Sequence, residues 1–222
     1  SAGIIDTANF HTSDVNIYPT NAGLVWQSSD DIIQDIVFLS ESQEILITTS
    51  GKEGNALVAA IDGNNNILWS WHIWCTDKPV DHKYINYNGQ RFTVQDRNLG
   101  ATRADRGTGE QWRESCGLAY QWGRKDPFAL SHNTEKYNTK FTIMESIENP
   151  TYIPCGYGQW TAHDISQNMN LWHPTVKTIY DPCPAGYKVA SIDVWSGFSK
   201  TGNTQHDVSY INYVGSYDHG YN

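Results

Sequence analysis

Short runs of apolar, β-branched residues broken by turn-forming clusters fill the first third of the chain, and they predict strands. Residues 31–39 (DIIQDIVFL) and 44–49 (EILITT) are bounded by Ser, Gly and charged residues. Residues 56–61 and 67–74 are separated by Asp62-Gly-Asn-Asn-Asn66, which is the turn chemistry of a hairpin. Side chains alternate along a pleated strand, so Ile67, Trp69, Trp71 and Ile73 are expected on one face, against the core. Leu68, Ser70, His72 and Trp74 then fall on the other.

The pattern changes between Lys78-Pro79 and Asn88-Gly89 to Tyr, Asn, Asp and Gly, which suits a connector. Beyond it the periodicity is irregular. Residues 116–122 and 142–148 are helical candidates, the second stopped by Asn149-Pro150 because proline disfavours helical geometry in the residue before it. A third short helix is expected from Ser191, as N-cap, through residues 192–198. The stretch 202–222 holds no run long enough for a strong strand and reads as exposed. No repeat at solenoid or propeller periods is present.

A chain of 222 residues can bury a core without a disulfide scaffold. Its formal net charge of −9 argues against nucleic acid, whose binding begins with clustered Lys and Arg. There is no run of roughly 18 apolar residues, hence no transmembrane segment in this chain. Ser1-Ala2-Gly3 has neither the basic nor the hydrophobic region of a signal peptide, so the chain reads as mature or trimmed. Cys75, Cys116, Cys155 and Cys183 stand far apart without a Cys-x-x-Cys, which disfavours zinc ribbons and thioredoxin-like chemistry. Two disulfides in an exported protein, in any of three pairings, or free buried thiols remain open.

The motifs of common enzymes are absent: no Gly-x-Ser-x-Gly, His-Glu-x-x-His, phosphate-binding or dinucleotide loop occurs. The neighbouring pairs Asp81-His82, His163-Asp164, His206-Asp207 and Asp218-His219 read as solvated loop residues. Asp62, Asn64 and Asn66 echo a calcium loop but lack its glycine and distal glutamate, so no metal and no cofactor is expected. What the chain does offer is rings, with nine Trp and 13 Tyr among 13% aromatic residues. Ring faces beside Asn, Asp and His donors and acceptors suit a neutral polar ligand such as a glycan or peptide. The candidate ligand-binding residues are Tyr157, Trp160, Trp172, Tyr210, Tyr213, Tyr217, Asp218, His219 and Tyr221.

Several longer segments carry a resemblance. Lys52-Glu-Gly-Asn-Ala56, the hairpin strand 67–74, Asp96-Arg-Asn-Leu-Gly-Ala101, Gly117-Leu-Ala-Tyr-Gln-Trp-Gly-Arg-Lys-Asp-Pro-Phe128, Glu145-Ser-Ile-Glu-Asn-Pro150 and Lys177-Thr-Ile-Tyr-Asp-Pro-Cys-Pro-Ala-Gly-Tyr-Lys-Val189 follow one another in order. Together they resemble the fimbrillin-family surface proteins of Bacteroidetes, and the second half is similar to a major-paralogous-domain, C-type-lectin-like module. The resemblance implies an α+β, mostly β fold. Residues 1–79 are expected to form an Ig-like β-sandwich part, and residues 80–222 a C-type-lectin-like module with long loops and short helices. Because related chains continue past this point, that module is expected to be C-terminally incomplete.

The function implied is a non-enzymatic cell-surface adhesin or pilus-tip-like protein, extracellular and anchored at the outer membrane or carried on a pilus. Its partners would be a glycan or a host or microbial surface protein, and other pilus subunits. The alternatives are a structural assembly subunit, a phage fibre receptor-binding protein on a virion, and, further off, a glycan-active enzyme. The motif residues themselves read structurally: Asp96 and Arg97 as a buried ion pair, Gly100 and Gly123 as turn positions, Asp181-Pro-Cys-Pro184 as a rigid bend.

Overall fold

The computed structural model describes residues 17–129, 136–154, 171–173, 175–197 and 209–211, the last of these by backbone alone. The chain is mostly β, with antiparallel sheets and few short helices. It divides into two compact units interleaved along the sequence: residues 1–75 with 119–189, and residues 76–118 with 190–222.

The first unit opens with β1 (Asn21–Gln27), β2 (Ile33–Leu39), β3 (Glu44–Thr49), β4 (Gly54–Ile61) and β5 (Ile67–Cys75). β1, β4 and β5 form an antiparallel sheet with β4 in the centre, and β2 and β3 form a separate antiparallel pair. The hairpin between β4 and β5 closes as its sequence dictates. Asp62 accepts hydrogen bonds from the Asn64 and Asn66 backbone N–H at 2.8 Å each and from the Asn66 side-chain amide at 2.9 Å, while Asn65 takes the left-handed φ of 66°. Those three bonds hold the Asp62 carboxyl below its usual range, the Asn66 amide first. The Asp62 carboxylate is a turn-builder here.

Register places Ala56 opposite Ile73, Val58 opposite Trp71 and Ala60 opposite Trp69, so these six share a face. That is the face expected to meet the core, and Ile73 and Ala56 do pack there with Ile32, Ile33, Ile36 and Ile47 from β2, β3 and the turn before them. The opposite face is covered as well. Ser70 is buried and His72 half-buried, and every residue from Gly54 to Ala60 is buried, because segment 119–128 closes over that side. The continuous apolar run of β4 is the signature of a strand covered on both faces.

The rest of this unit supplies β8 (Lys136–Tyr137), α2 (Ile143–Glu148) and β9 (Ile153–Pro154), with β8 and β9 parallel. α2 starts where the sequence places it. Thr142 caps the Glu145 N–H at 3.1 Å and the Glu145 carboxylate returns to the Thr142 N–H at 2.7 Å, a complete capping box.

The second unit holds β6 (Asp81–Ile85), β7 (Arg91–Gln95), α1 (Glu110–Cys116) and β10 (Ser209–Ile211), in a sheet ordered β10-β6-β7. The expected ion pair is present: Arg97 Nε donates to Asp96 at 2.9 Å with both side chains buried, and the guanidinium reaches Asp77 and Thr76. The helix expected over residues 116–122 lies instead at 110–116. It ends at Gly117, whose φ of 73° continues no helix and whose Cβ, if it had one, would stand 2.6 Å from the Leu99 carbonyl. The helix expected from Ser191 is a single 3-10 turn, Ile192–Trp195, and Ser191 makes no side-chain cap bond. The two-disulfide alternative is not realised, since Cys75, Cys116 and Cys183 are all free thiols and Cys155 lies outside the described residues.

Candidate functional site

Segment 119–128 is the organising feature of the first unit. An isolated antiparallel bridge joins Ala119 to Phe128, and everything between is held by side chains. Arg124 is buried and donates to the carbonyls of Tyr152 (2.8 Å), Ser146 (3.2 Å) and Asn149 (3.3 Å), gathering the C-terminal end of α2 and the turn after it. Its guanidinium also lies 4.8 Å from the Phe128 ring. Burial draws its pKa down to about 10, against the pull of Asp126.

Next along the chain, Lys125 and Asp126 form a buried pair, with Nζ 2.7 Å from each carboxylate oxygen. Lys125 also donates to the Ser70 carbonyl at 2.9 Å and to Ser70 Oγ at 2.5 Å, while Ser70 Oγ donates to Asp126 at 2.9 Å. The triangle resembles a serine–lysine dyad in composition only. A general base must be free to take the hydroxyl proton, and here the ammonium is engaged by both oxygens of Asp126 while the hydroxyl is turned to that same carboxylate. The cluster ties segment 119–128 to β5. Beside it Asn55 Oδ1 lies 2.9 Å from His72 Nε2, and Tyr120 OH 3.3 Å from His72 Nδ1. Burial lowers the His72 pKa to about 3 and raises that of Tyr120, so both stay neutral at ordinary pH.

This anchoring fixes what lies between its points. The Arg124 N–H bonds back to the Gln121 carbonyl at 3.0 Å, closing a tight turn with Trp122 and Gly123 at its tip. Gly123 has φ 84°, and a Cβ there would approach Leu171 Cδ1 to 2.8 Å. The bare backbone lets the turn sit directly on Leu171, and this puts Trp122 beside the next residue, Trp172. The two indoles lie 6.3 Å apart, tilted at 57°. Trp122 is 37% exposed and Trp172 half-buried.

Trp172 is held from behind. Its indole N–H donates to the Tyr180 carbonyl at 2.9 Å, and the Thr178 hydroxyl donates to the Leu171 carbonyl. Leu171 packs with Phe141, Ile143, Tyr152 and Tyr180. Asp181, fully buried, accepts from the backbone N–H of Cys183 and Val189 at 2.9 Å each and from Lys177 Nζ at 3.0 Å, pinning the loop that carries Tyr180. The result is a ring pair whose positions are set by a buried scaffold and whose outer faces are open.

Of the residues singled out from sequence, Trp172 belongs to this pair. Tyr210 lies in β10, in register with Tyr84 of β6. Tyr157, Trp160, Tyr213, Tyr217, Asp218, His219 and Tyr221 lie outside the described residues. Trp122 was missed because residues 116–122 read as a helix; its position directly before a glycine, in a Gln-Trp-Gly-Arg turn, was the available signal.

Metal and thiol chemistry find little here. Among the described residues no group of three His, Cys, Asp or Glu converges, and burial pushes the Cys183 thiol up to about 12, with Asp181 adding to the effect. Burial raises the Cys75 and Cys116 thiols as well. All three are protonated at neutral pH and therefore poor nucleophiles. Also among the described residues, no helix is long and apolar enough to cross a membrane.

Fold and site together define a mostly β chain that presents a paired indole surface on a rigid loop scaffold. Compared with protein-family models, with curated proteins and with solved structures, the chain matches none.

Proposed function

We propose that the protein is a non-enzymatic surface-binding module, a fimbrillin-like adhesin whose Ig-like sandwich part supports a C-type-lectin-like recognition part, and that it binds a glycan on the Trp122–Trp172 pair. The observation that carries this reading is the pair itself. Two large rings sit at a turn tip with open faces, and each is fixed by bonds made behind it, so little conformational entropy is lost when a sugar ring stacks. The net charge of −9 and the scarcity of cationic clusters favour a neutral partner over a polyanion at this surface. The loops bearing Tyr157, Trp160, Tyr210, Tyr213, Tyr217, Asp218, His219 and Tyr221 would extend the recognition face.

A glycan and mucin array probed with the intact protein tests this. Binding to neutral glycans that falls at least tenfold in Trp122→Ala supports the reading; array binding unchanged in Trp122→Ala and Trp172→Ala, with both variants folded, contradicts it.

One observation favours a second reading, a pilus assembly subunit completed by strand addition. Val37, Leu39 and Leu46 are exposed on the outward face of the β2–β3 pair, and among the described residues each of these strands has one edge without a strand partner. Light scattering at rising concentration would show self-association if this reading holds, and a monomer throughout would count against it.

A further inference from the structure

We propose that the second unit carries a separate binding cleft for a carboxylate-bearing sugar, built from Arg106 and Trp112. The cleft has a volume of about 650 Å³ and is lined by Arg106, Gly107, Thr108, Gly109 and Trp112. Small-molecule sites commonly enclose roughly 300–1,000 Å³. This proposal extends the glycan reading to a second surface but stands on different residues in a different unit, so either can fail alone.

Three features select the ligand. The guanidinium of Arg106 and the indole of Trp112 line the same concavity, both exposed, Trp112 by 37%. A guanidinium offers paired donors matched to a carboxylate, and an indole offers a face to the sugar ring. Thr108 adds a hydroxyl that both donates and accepts, as sugar hydroxyls require. α1 is too short for its dipole to matter, so recognition of charge falls to Arg106.

Charge bookkeeping supports the assignment. On a chain of net charge −9, no carboxylate is among the described residues lining this cleft. The acidic neighbours Asp105 and Glu114 are both directed at Arg103, whose Nη2 donates to Asp105 at 2.8 Å and whose Nη1 lies 3.9 Å from Glu114. They are compensated by Arg103.

The cleft is also preformed. Segment 102–109 is clipped to α1 by the Thr102 N–H to the Glu114 carbonyl (3.0 Å) and by Ser115 Oγ to the Arg106 carbonyl (3.3 Å). The Trp112 carbonyl accepts from Ser115 Oγ at 2.8 Å and from Cys116 Sγ at 3.1 Å, fixing the turn of helix that carries the indole. Gly107, at φ 57°, has no room for a side chain, since a Cβ would meet that of Gln111 at 2.5 Å; Gly109, at φ 62°, faces open space and leaves the backbone bare.

The test titrates the intact protein with a uronic-acid disaccharide and with its carboxyl-reduced, neutral counterpart at low ionic strength, followed by calorimetry and by indole N–H resonances. The acidic sugar is expected to bind at least tenfold more tightly than the neutral one, to perturb Trp112, and to weaken with salt. Arg106→Gln is expected to lose at least tenfold in affinity for the acidic sugar, and Trp122→Ala to lose nothing. Arg106 is exposed, so its replacement keeps the test valid should Trp112→Ala fold poorly. Equal affinity for the two sugars, an unaffected Arg106→Gln variant, no binding at millimolar concentration, or inorganic sulfate binding as tightly as the acidic sugar would each overturn the proposal.

Discussion

At the scale of single residues, the most consequential side chains in the first unit are buried and polar. Lys125 and Asp126 are neighbours in sequence, and a run reading Arg-Lys-Asp-Pro-Phe gives no hint that both will turn inward. They do so because Ser70, on the covered face of β5, completes their hydrogen bonding. Removing one partner strands the other in a poorly solvated site, so Lys125→Met is expected to cost about 3–5 kcal/mol in urea unfolding. His72 gives a pH signature. Its folded pKa of about 3, set by burial, lies below the 6.5 of the unfolded chain, so only the unfolded state takes up this proton as pH falls. The stability it contributes is present above pH 6.5 and is lost as pH drops from there toward 3, by about 1.4 kcal/mol per unit. The difference in unfolding free energy between the parent and His72→Gln, measured at pH 7 and pH 5, is expected to shrink at the lower pH; a constant difference would mean His72 is protonated in the fold.

At the scale of elements, legibility followed locality. The strands β2 to β5 and the turn at residues 62–66 were readable because alternation and turn chemistry are written in adjacent residues. The capping box of α2 was readable in part: residues 142–148 and the Asn149-Pro150 stop were seen, and Thr142→Ala is expected to cost about 0.5–2 kcal/mol, measured by thermal unfolding. Two things were not local. The second face of β5 looked peripheral because the segment that covers it lies some fifty residues on, as the Ser70–Asp126 bond shows at a separation of 56. The helix α1 was misplaced because apolar spacing in residues 116–122 resembles a helical face, whereas Gly117 stops the chain at the Leu99 carbonyl. Gly117→Ala is expected to destabilise by more than about 1 kcal/mol, since it combines an unfavourable positive φ with a clash against backbone. A neutral Gly117→Ala variant would contradict this account of where α1 ends.

At the scale of the whole molecule, a mostly β chain with antiparallel sheets and short helices was legible, and the interleaving of the two compact units was not, because it depends on contacts between distant segments. The candidate site was half legible. Trp172 stood out as a ring among polar neighbours, but its companion Trp122 becomes a partner only through the Gln121–Arg124 turn, the bare Gly123 and its seat on Leu171. The proposed function rests on that convergence, and a titration of the intact protein with neutral oligosaccharides, monitored at the Trp122 and Trp172 indole N–H resonances, tests it most directly. Saturable shifts at both indoles, with affinity falling at least tenfold in Trp122→Ala while the thermal midpoint is retained, are the predicted result. Binding that leaves both indoles unperturbed, or an affinity untouched by loss of the Trp122 ring, would contradict it.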